Sequence, residues 1–86
     1  MKVRYARSFH KQFKKLPAST QDKFRERIVL FVADPTHPSL RVHPLKGKFA
    51  GYWSMSITGD VRAIYKKEGN DMVLLVLIGT HSQLYG

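Results

Sequence analysis

Two side chains near the carboxyl end of the chain could exchange protons or hold a nucleotide. His81 follows an apolar run at residues 72–78, which predicts a strand, and Tyr85 comes four residues after it. Loops that leave a strand end often carry chemistry, and an imidazole exchanges protons near neutral pH. An aromatic ring at position 85 can stack on a base or position a phosphate. The same pattern is also typical of a surface histidine and a tyrosine that covers the core.

A carboxylate and a guanidinium stand two residues apart, at Asp60 and Arg62, where a further strand is predicted. Alternate side chains of a strand share a face, so these two groups are expected on the same face of the sheet. Together they could act as a base and as a phosphate clamp. The alternative is a partly exposed ion pair, which contributes less than roughly 1 kcal/mol to stability.

A loop rich in basic residues precedes these strands. It contains His43, Lys46 and Lys48, and Gly47 would allow its backbone to approach a ligand closely. Such a loop could contact phosphate, although basic loops are common in a chain of this charge. No spacing of His, Asp and Glu indicates a metal site, and no GxxxxGKS/T loop is present. The sequence therefore predicts neither a metal nor a cofactor.

The amino-terminal residues predict a short strand and a first helix. Residues 2–6 alternate polar and apolar side chains, as a strand does. Ser8 is predicted to cap a helix that Pro17 ends, because proline lacks the N–H donor and clashes with the preceding turn. The apolar stripe of this helix is Phe9, Phe13 and Leu16.

A second helix is predicted to begin at Ser19, since Ser19 and Asp22 form a variant of the capping-box pattern. Asp34 and Pro35 are predicted to end it, because the residue before a proline is biased away from helical geometry. The apolar face of this helix is Phe24, Ile28, Phe31 and Val32. A very short turn between the two helices implies that they run antiparallel.

The rest of the chain predicts an irregular segment at residues 35–51 and then three strands, at residues 52–57, 60–67 and 72–78. The last of these lacks alternation, which favours a central strand covered on both faces. The resulting β-α-α-β-β-β order predicts one α+β domain over residues 1–86. In it, two antiparallel helices pack on one face of a small, mainly antiparallel sheet.

The charge of the chain indicates the kind of partner. Fifteen Lys and Arg residues against six Asp and Glu give a net charge of +9 over 86 residues. Such a charge favours a polyanion, an anionic membrane surface or an acidic protein. The absence of cysteine excludes a disulfide scaffold and a cysteine-based zinc or redox site. No apolar run reaches the roughly 20 residues of a membrane span and no signal-peptide pattern is present, so a cytoplasmic location is expected.

Four segments carry a recognisable combination of residues. They are His43-Pro44-Leu45-Lys46-Gly47 with Gly51-Tyr52, then Gly59-Asp60-Val61-Arg62-Ala63-Ile64-Tyr65, then Gly79-Thr80-His81, then Leu84-Tyr85. Together they resemble the RelE/ParE toxin superfamily of type II toxin–antitoxin systems, and within it the YafQ-like toxins. The likeness covers nearly the whole chain and agrees with the β-α-α-β-β-β order.

The resemblance implies a compact, metal-independent ribonuclease that cuts mRNA in the ribosomal A site and so inhibits translation. In such an enzyme the ribose 2′-OH attacks the adjacent phosphate and the 5′-oxygen leaves. His81 matches the histidine of the family's GTH segment and would be the general acid. Either Asp60 or His43, the histidine of the HPL segment, would be the base.

The same resemblance assigns the remaining site residues. Arg62 would clamp the phosphate, helped by Lys46 and Lys48, and Tyr85 is the aromatic residue that follows the histidine. The chain departs from the family pattern at several positions, so the identity of the base stays open. YafQ-like toxins have a further histidine and an arginine where this chain has Ser56 and Leu77, and RelE has lysines near Trp53 and Met55.

Two other functions are compatible with the sequence. One is a ParE-like toxin that inhibits DNA gyrase by binding, although such an inhibitor needs no proton-transfer pair like His43 and His81. The other is a basic RNA- or DNA-binding module without activity. For a toxin, the expected partners are an antitoxin with an acidic or partly disordered segment, the ribosome and mRNA, and no membrane. The expected assembly is a homodimer or a toxin–antitoxin heterotetramer.

Overall fold

The helices and strands follow the predicted order with two additions. The computed structural model describes residues 1–85. The additions are a two-residue strand inside the segment predicted to be irregular and a short helix where the sequence predicted only a tail. The elements are β1 (Lys2–Tyr5), α1 (Arg7–Lys14), α2 (Ala18–Ala33), β2 (His43–Pro44), β3 (Trp53–Ser56), β4 (Val61–Glu68), β5 (Met72–Thr80) and α3 (His81–Tyr85).

The five strands form one mixed sheet in the order β1-β5-β4-β3-β2. Among residues 1–85 only the β1–β5 pair is parallel, so the sheet is mainly antiparallel, as predicted. The prediction that β5 lies inside the sheet is confirmed, since β1 and β4 flank it, but the prediction that both of its faces are fully covered is wrong. The middle strand is β4, and along β5 Val73 and Leu75 are buried whereas Leu74 and Val76 are only half-buried. The apolar run agrees with the packing of β5 against both α1 and α3, which leaves none of its residues fully exposed.

Both predicted helix caps are wrong, although both helices exist. The N-cap positions are held by Ala6 and Pro17, and neither side chain caps its helix. Ser8 lies within α1 and its hydroxyl donates to the Val76 carbonyl at 2.6 Å, which ties the helix to β5. The Pro17 carbonyl accepts the first backbone bonds of α2, so this proline both ends α1 and begins α2.

The end of α2 at Ala33 matches the prediction, but Val32 does not belong to its buried face. Val32 is 41 % exposed, whereas Phe24 and Phe31 are buried. The Phe31 ring packs on Tyr65 of β4 with centroids 5.0 Å apart, and the Phe24 ring packs on Phe9 of α1 at 5.2 Å. These contacts place both helices on one face of the sheet, as predicted.

The buried ring of Tyr65 gives the fold a testable response to alkaline pH. Its side chain is 1 % exposed, and burial raises its pKa to about 12 from the ordinary 10.0. Because the folded state disfavours the ionised ring, the stabilisation is complete below pH 10 and is lost as the pH rises through 12. We expect the free energy of unfolding to fall by roughly 2–3 kcal/mol over this range from Tyr65 alone.

Urea titrations of the wild type and of Tyr65→Phe at several pH values measure this contribution. Phenylalanine retains the packing ring and cannot ionise, so the variant should lack the part of the alkaline loss that Tyr65 causes. Equal losses in the two proteins would contradict the assignment.

Within residues 1–85, no helix combines the length and the apolar character needed to cross a membrane.

Candidate active site

A shallow pocket of about 350 Å³ brings together four of the seven residues predicted from the sequence. His43 comes from β2, Arg62 from β4, and His81 and Tyr85 from α3. The strand register explains the convergence. The paired positions His43 with Ser54, and Ser56 with Arg62, lie on one face of the sheet, while the intervening Met55 faces the core. The pocket therefore lies on the face opposite the core helices.

The placement of His81 depends on a capping box at the start of α3. The Thr80 N–H donates to Gln83 Oε1 at 2.8 Å, and the Gln83 N–H donates to Thr80 Oγ1 at 3.2 Å. The His81 N–H donates to the Asp60 carbonyl at 3.2 Å, which joins this helix to the turn before β4. A Thr followed three residues later by a Gln is a sequence signal that could have predicted α3.

Gly79 allows α3 to fold back closely onto the end of β5. A Cβ atom at this position would lie 2.9 Å from Oε1 of Gln83 and 3.6 Å from Cδ2 of Leu84. The first of these atoms accepts the Thr80 N–H, so a side chain at position 79 would disturb the capping box itself. The glycine of the GTH segment thus leaves room for the capping box at the start of α3, and a larger residue would require Gln83 to move.

Aromatic side chains form one wall of the pocket. The His81 and Tyr85 rings have centroids 4.7 Å apart, and Tyr85 meets Phe49 edge-on at 5.7 Å. The ammonium of Lys48 lies 5.3 Å from the centre of the Phe49 ring. This wall offers a flat surface on which a nucleobase could stack, with a cation behind it.

His43 is held in one tautomer when it is neutral. Its Nδ1 lies 3.0 Å from the Arg41 carbonyl oxygen. A carbonyl can only accept, so Nδ1 carries the proton and Nε2 keeps its lone pair. Arg41 presents this carbonyl from a left-handed backbone conformation with φ of 49°. His43 therefore has the arrangement of a base that accepts a proton at Nε2.

The guanidinium of Arg62 is fixed by backbone carbonyls. Its Nη1 donates to the carbonyls of Thr58 at 2.9 Å, Gly59 at 3.2 Å and Val61 at 3.2 Å. No carboxylate within residues 1–85 forms an ion pair with it. An arginine held in this way carries an uncompensated positive charge at the pocket, where it could bind a phosphate.

Asp60, Lys46 and Lys48 do not line the pocket. β4 begins at Val61, so Asp60 belongs to the preceding turn, in which the N–H groups of both residues donate to Thr58 Oγ1. In the part of the chain that the structure describes, Asp60 forms no ion pair with Arg62. The prediction that Asp60 and Arg62 share a strand face is wrong, because β4 starts one residue later than predicted and Asp60 is not part of it.

Ser54 is a pocket residue that the sequence analysis did not identify. It pairs with His43 across β2 and β3, is 1 % exposed, and its hydroxyl has no hydrogen-bond partner among the described residues. Alternation along β3 already placed it on the face away from the core, but serine there gave no signal of its burial. A buried hydroxyl without a partner costs stability and is typical of a site that a ligand completes.

We expect Ser54→Ala to raise the free energy of unfolding by about 1 kcal/mol, because it removes a buried group that lacks a partner. The melting temperature should rise by roughly 4–8 °C for a domain of this size. The matched control is Ser56→Ala on the same face of β3, where the lost hydroxyl donates to the Thr58 carbonyl at 3.0 Å. That control should be destabilised, and a Ser54→Ala protein that melts lower than the wild type would contradict the interpretation.

Two further observations bear on what the site could hold. Among residues 1–85 there is no group of three or more His, Asp or Glu side chains close enough to hold a metal ion. A second, more apolar cavity of about 330 Å³, next to Trp53 and Lys67, contains none of the residues predicted for the site. The 350 Å³ pocket is the place where imidazoles, a guanidinium and an aromatic ring meet.

Solved structures of bacterial toxins share this architecture. YafQ from E. coli strain BL21(DE3) is 23% identical, with a TM-score of 0.80 over 98% of this chain and 97% of that one. A YoeB/ParE toxin from Agrobacterium tumefaciens is 26% identical, with a TM-score of 0.77 over 94% and 99%. The E. coli DinJ–YafQ toxin–antitoxin complex matches at 23% identity and a TM-score of 0.77, over 98% and 96%.

A family model gives the classification directly. No curated protein matches the chain in sequence. The model described as the bacterial toxin of type II toxin–antitoxin systems, YafQ, matches residues 1–86. This match covers the whole chain, including the segments from which the pocket is built. The chain therefore belongs to the YafQ family of toxins of bacterial type II toxin–antitoxin systems.

Proposed function

We propose that this toxin is an endoribonuclease that cuts mRNA on the ribosome and thereby inhibits translation. The observation that supports it most is the convergence of two imidazoles and an unpaired guanidinium on one pocket, beside an aromatic wall. Cleavage of RNA through its own 2′-OH needs a base, an acid and a positive charge near the phosphate. A toxin that acts by binding alone would not need the two histidines.

Each residue has a role in the proposed reaction. His43 takes the proton of the ribose 2′-OH at Nε2, and the 2′-oxygen attacks the adjacent phosphorus. Arg62 stabilises the additional negative charge of the phosphorane-like transition state. The bond between phosphorus and the 5′-oxygen breaks, and His81 donates a proton to that oxygen. The products are a 2′,3′-cyclic phosphate and a 5′-hydroxyl, and the protons are carried by side chains without a metal ion.

Tyr85 and the two lysines have supporting roles in this proposal. The Tyr85 ring stacks on a base next to the scissile bond and keeps the ribose in place. Lys46 and Lys48 lie outside the pocket and attract the phosphates that approach it. Asp60 contributes through its carbonyl, which accepts the His81 N–H at 3.2 Å.

The proposed partners follow from the charge and from the solved relatives. E. coli YafQ has been solved in complex with DinJ as a toxin–antitoxin pair. We propose that an acidic segment of a cognate antitoxin binds this chain, whose net charge is +9. The working location is then the cytoplasm, where ribosomes and mRNA are present. The assembly is a homodimer or a toxin–antitoxin heterotetramer.

In-vitro translation with the mRNA mapped by primer extension tests the proposal. Cuts that appear with ribosomes and not on free mRNA would support a ribosome-dependent nuclease. Cuts on free mRNA would support a nuclease but contradict the ribosome dependence. With translation confirmed as active, an absence of cuts under both conditions would reject the nuclease, and a gyrase supercoiling assay would then test the ParE-like alternative.

A further inference from the structure

A second surface feature, the basic groove, adjoins the active-site pocket. It has a volume of about 510 Å³ and lies between α2, the turn after residue 40 and the end of the β3–β4 hairpin. In the part of the chain that the structure describes, four basic residues line it together with serine and threonine, and no Asp or Glu does. The cations are Lys23, Arg27, Arg41 and Arg62. Arg62 lines both the groove and the pocket, so the two adjoin at this residue.

The positions of these cations follow from the fold. Lys23 and Arg27 are four residues apart on α2 and therefore point from the same side of the helix. Arg41 follows the first of the two 3₁₀ turns within residues 1–85, at Pro38–Leu40. The ion pairs found within residues 1–85 involve Asp22, Glu68 and Asp71, so none of them neutralises the groove. Four like charges held together without a counterion make a local positive potential that favours an anion.

Arg27 is held in place by hydrogen bonds, yet its donors are not all paired within residues 1–85. Its Nη1 donates to Ser39 Oγ at 3.0 Å, and that hydroxyl is also 2.8 Å from His37 Nδ1, so the guanidinium is held in place. Its Nε is buried and has no hydrogen-bond partner among the described residues. A charged donor left in this state costs free energy unless an acceptor completes it. A phosphate oxygen is an acceptor that matches the guanidinium in charge and geometry.

We propose that the basic groove binds the sugar–phosphate backbone of the RNA strand that continues from the cleaved phosphate. This inference rests on the proposed function, because the groove would bind the same RNA strand that the pocket cleaves. Arg62 lines both sites. Arg41 connects the two in a second way. Arg41 lines the groove, and its carbonyl oxygen lies 3.0 Å from Nδ1 of His43, so the groove reaches the neighbourhood of the proposed base. The hydroxyls of Ser39 and Ser56 add polar contacts along this path.

The test measures RNA binding without ribosomes and without cleavage. The probe is a fluorescein-labelled octanucleotide of 2′-O-methyl RNA, which lacks the attacking hydroxyl, and its affinity is measured by anisotropy at several salt concentrations. Each phosphate contact on a single strand contributes about 0.7 to the slope of log K against log salt. We expect the double variant Lys23→Gln, Arg27→Gln to reduce the magnitude of this slope by about 1.4. A 2′-O-methyl dinucleotide, which fills only the pocket, should bind both proteins equally.

A control variant distinguishes RNA binding in the basic groove from non-specific attraction of RNA to the positive charge of the whole protein. The double variant Arg7→Gln, Lys11→Gln removes the same charges from an arginine and a lysine that are also four residues apart, on α1. Equal losses of slope in the two double variants would overturn the proposal, since net charge alone would explain them. Lys23→Gln by itself keeps the Arg27–Ser39 bond and should reduce the slope by about 0.7. No change in this single variant would also overturn it.

Two further outcomes separate the groove from the nuclease. If the wild type fails to cut mRNA but the groove variants lose the expected slope, the groove is an RNA site and the proposed chemistry is wrong. If mRNA is cut while the groove variants bind the octanucleotide like the wild type, the chemistry stands and the groove assignment is wrong. A third outcome is that the groove variants lose binding to a glutamate-rich peptide and keep their affinity for the octanucleotide. That result would assign the groove to an acidic protein and overturn the proposal.

Discussion

Replacing His81 with alanine is expected to slow ribosome-dependent mRNA cleavage by roughly 10²- to 10⁴-fold, because the 5′-oxygen would leave without a proton donor. Binding of RNA should remain nearly unchanged, since His81 is exposed and contributes one side chain among several. The rate is measured by primer extension on translated mRNA over a time course. The slowing should therefore appear in the rate of cutting and not in the affinity for RNA.

The neighbouring residue provides the matched control. Ser82 is also exposed, lies on the same short helix and does not line the pocket, so Ser82→Ala should cleave at the wild-type rate. Circular dichroism checks that α3 and the sheet survive in both variants. Wild-type cleavage by His81→Ala would remove His81 from the chemistry and leave its contact with Tyr85 as a packing interaction.

A second large effect is expected at His43, and it decides which residue is the base. His43→Gln should slow cleavage by roughly 10²- to 10⁴-fold, because glutamine cannot accept the proton of the 2′-OH. Asp60→Asn should change the rate by less than about tenfold, which corresponds to under about 1.4 kcal/mol in the barrier. The reason is geometric. His43 lines the pocket with a free Nε2, whereas Asp60 stands in the turn beyond it and contributes its backbone carbonyl to the His81 N–H.

Parallel time courses for the two variants measure this difference. Asp60→Asn is nearly isosteric and keeps the backbone carbonyl, so it isolates the carboxylate. A severe loss in Asp60→Asn together with near-normal cleavage by His43→Gln would reverse the assignment. Severe losses in both would indicate that the aspartate moves into the pocket when RNA binds.

The sequence predicted the long elements well and the boundaries poorly. The apolar stripe of α2 and the apolar run of β5 reflect burial over many residues, so both elements were identified. Caps depend on single hydrogen bonds, and there the predictions at Ser8 and Ser19 were wrong. At Ser8 the hydroxyl forms a tertiary bond to the Val76 carbonyl instead of a local one. Local patterns do not contain information about a partner that is 68 residues away.

The sequence analysis did not predict the two short elements that carry site residues, β2 and α3. β2 has only two residues and exists because it pairs with β3, so no periodicity could reveal it. The same register brings Ser54 next to His43 and buries its hydroxyl. The sequence analysis did not predict α3, although Thr80 and Gln83 have the spacing of a capping box.

The sequence by itself determined the net charge, the order of helices and strands, and the resemblance to the family. It also supplied the histidines and the arginine that are candidates for the chemistry. Only the tertiary structure decided which of these residues meet. Positions 43, 62 and 81 are far apart along the chain, and strand register together with the return of α3 brings them to one pocket. Asp60 lies outside that pocket because it belongs to the turn before β4, so the alternation of the strand does not set the direction of its side chain.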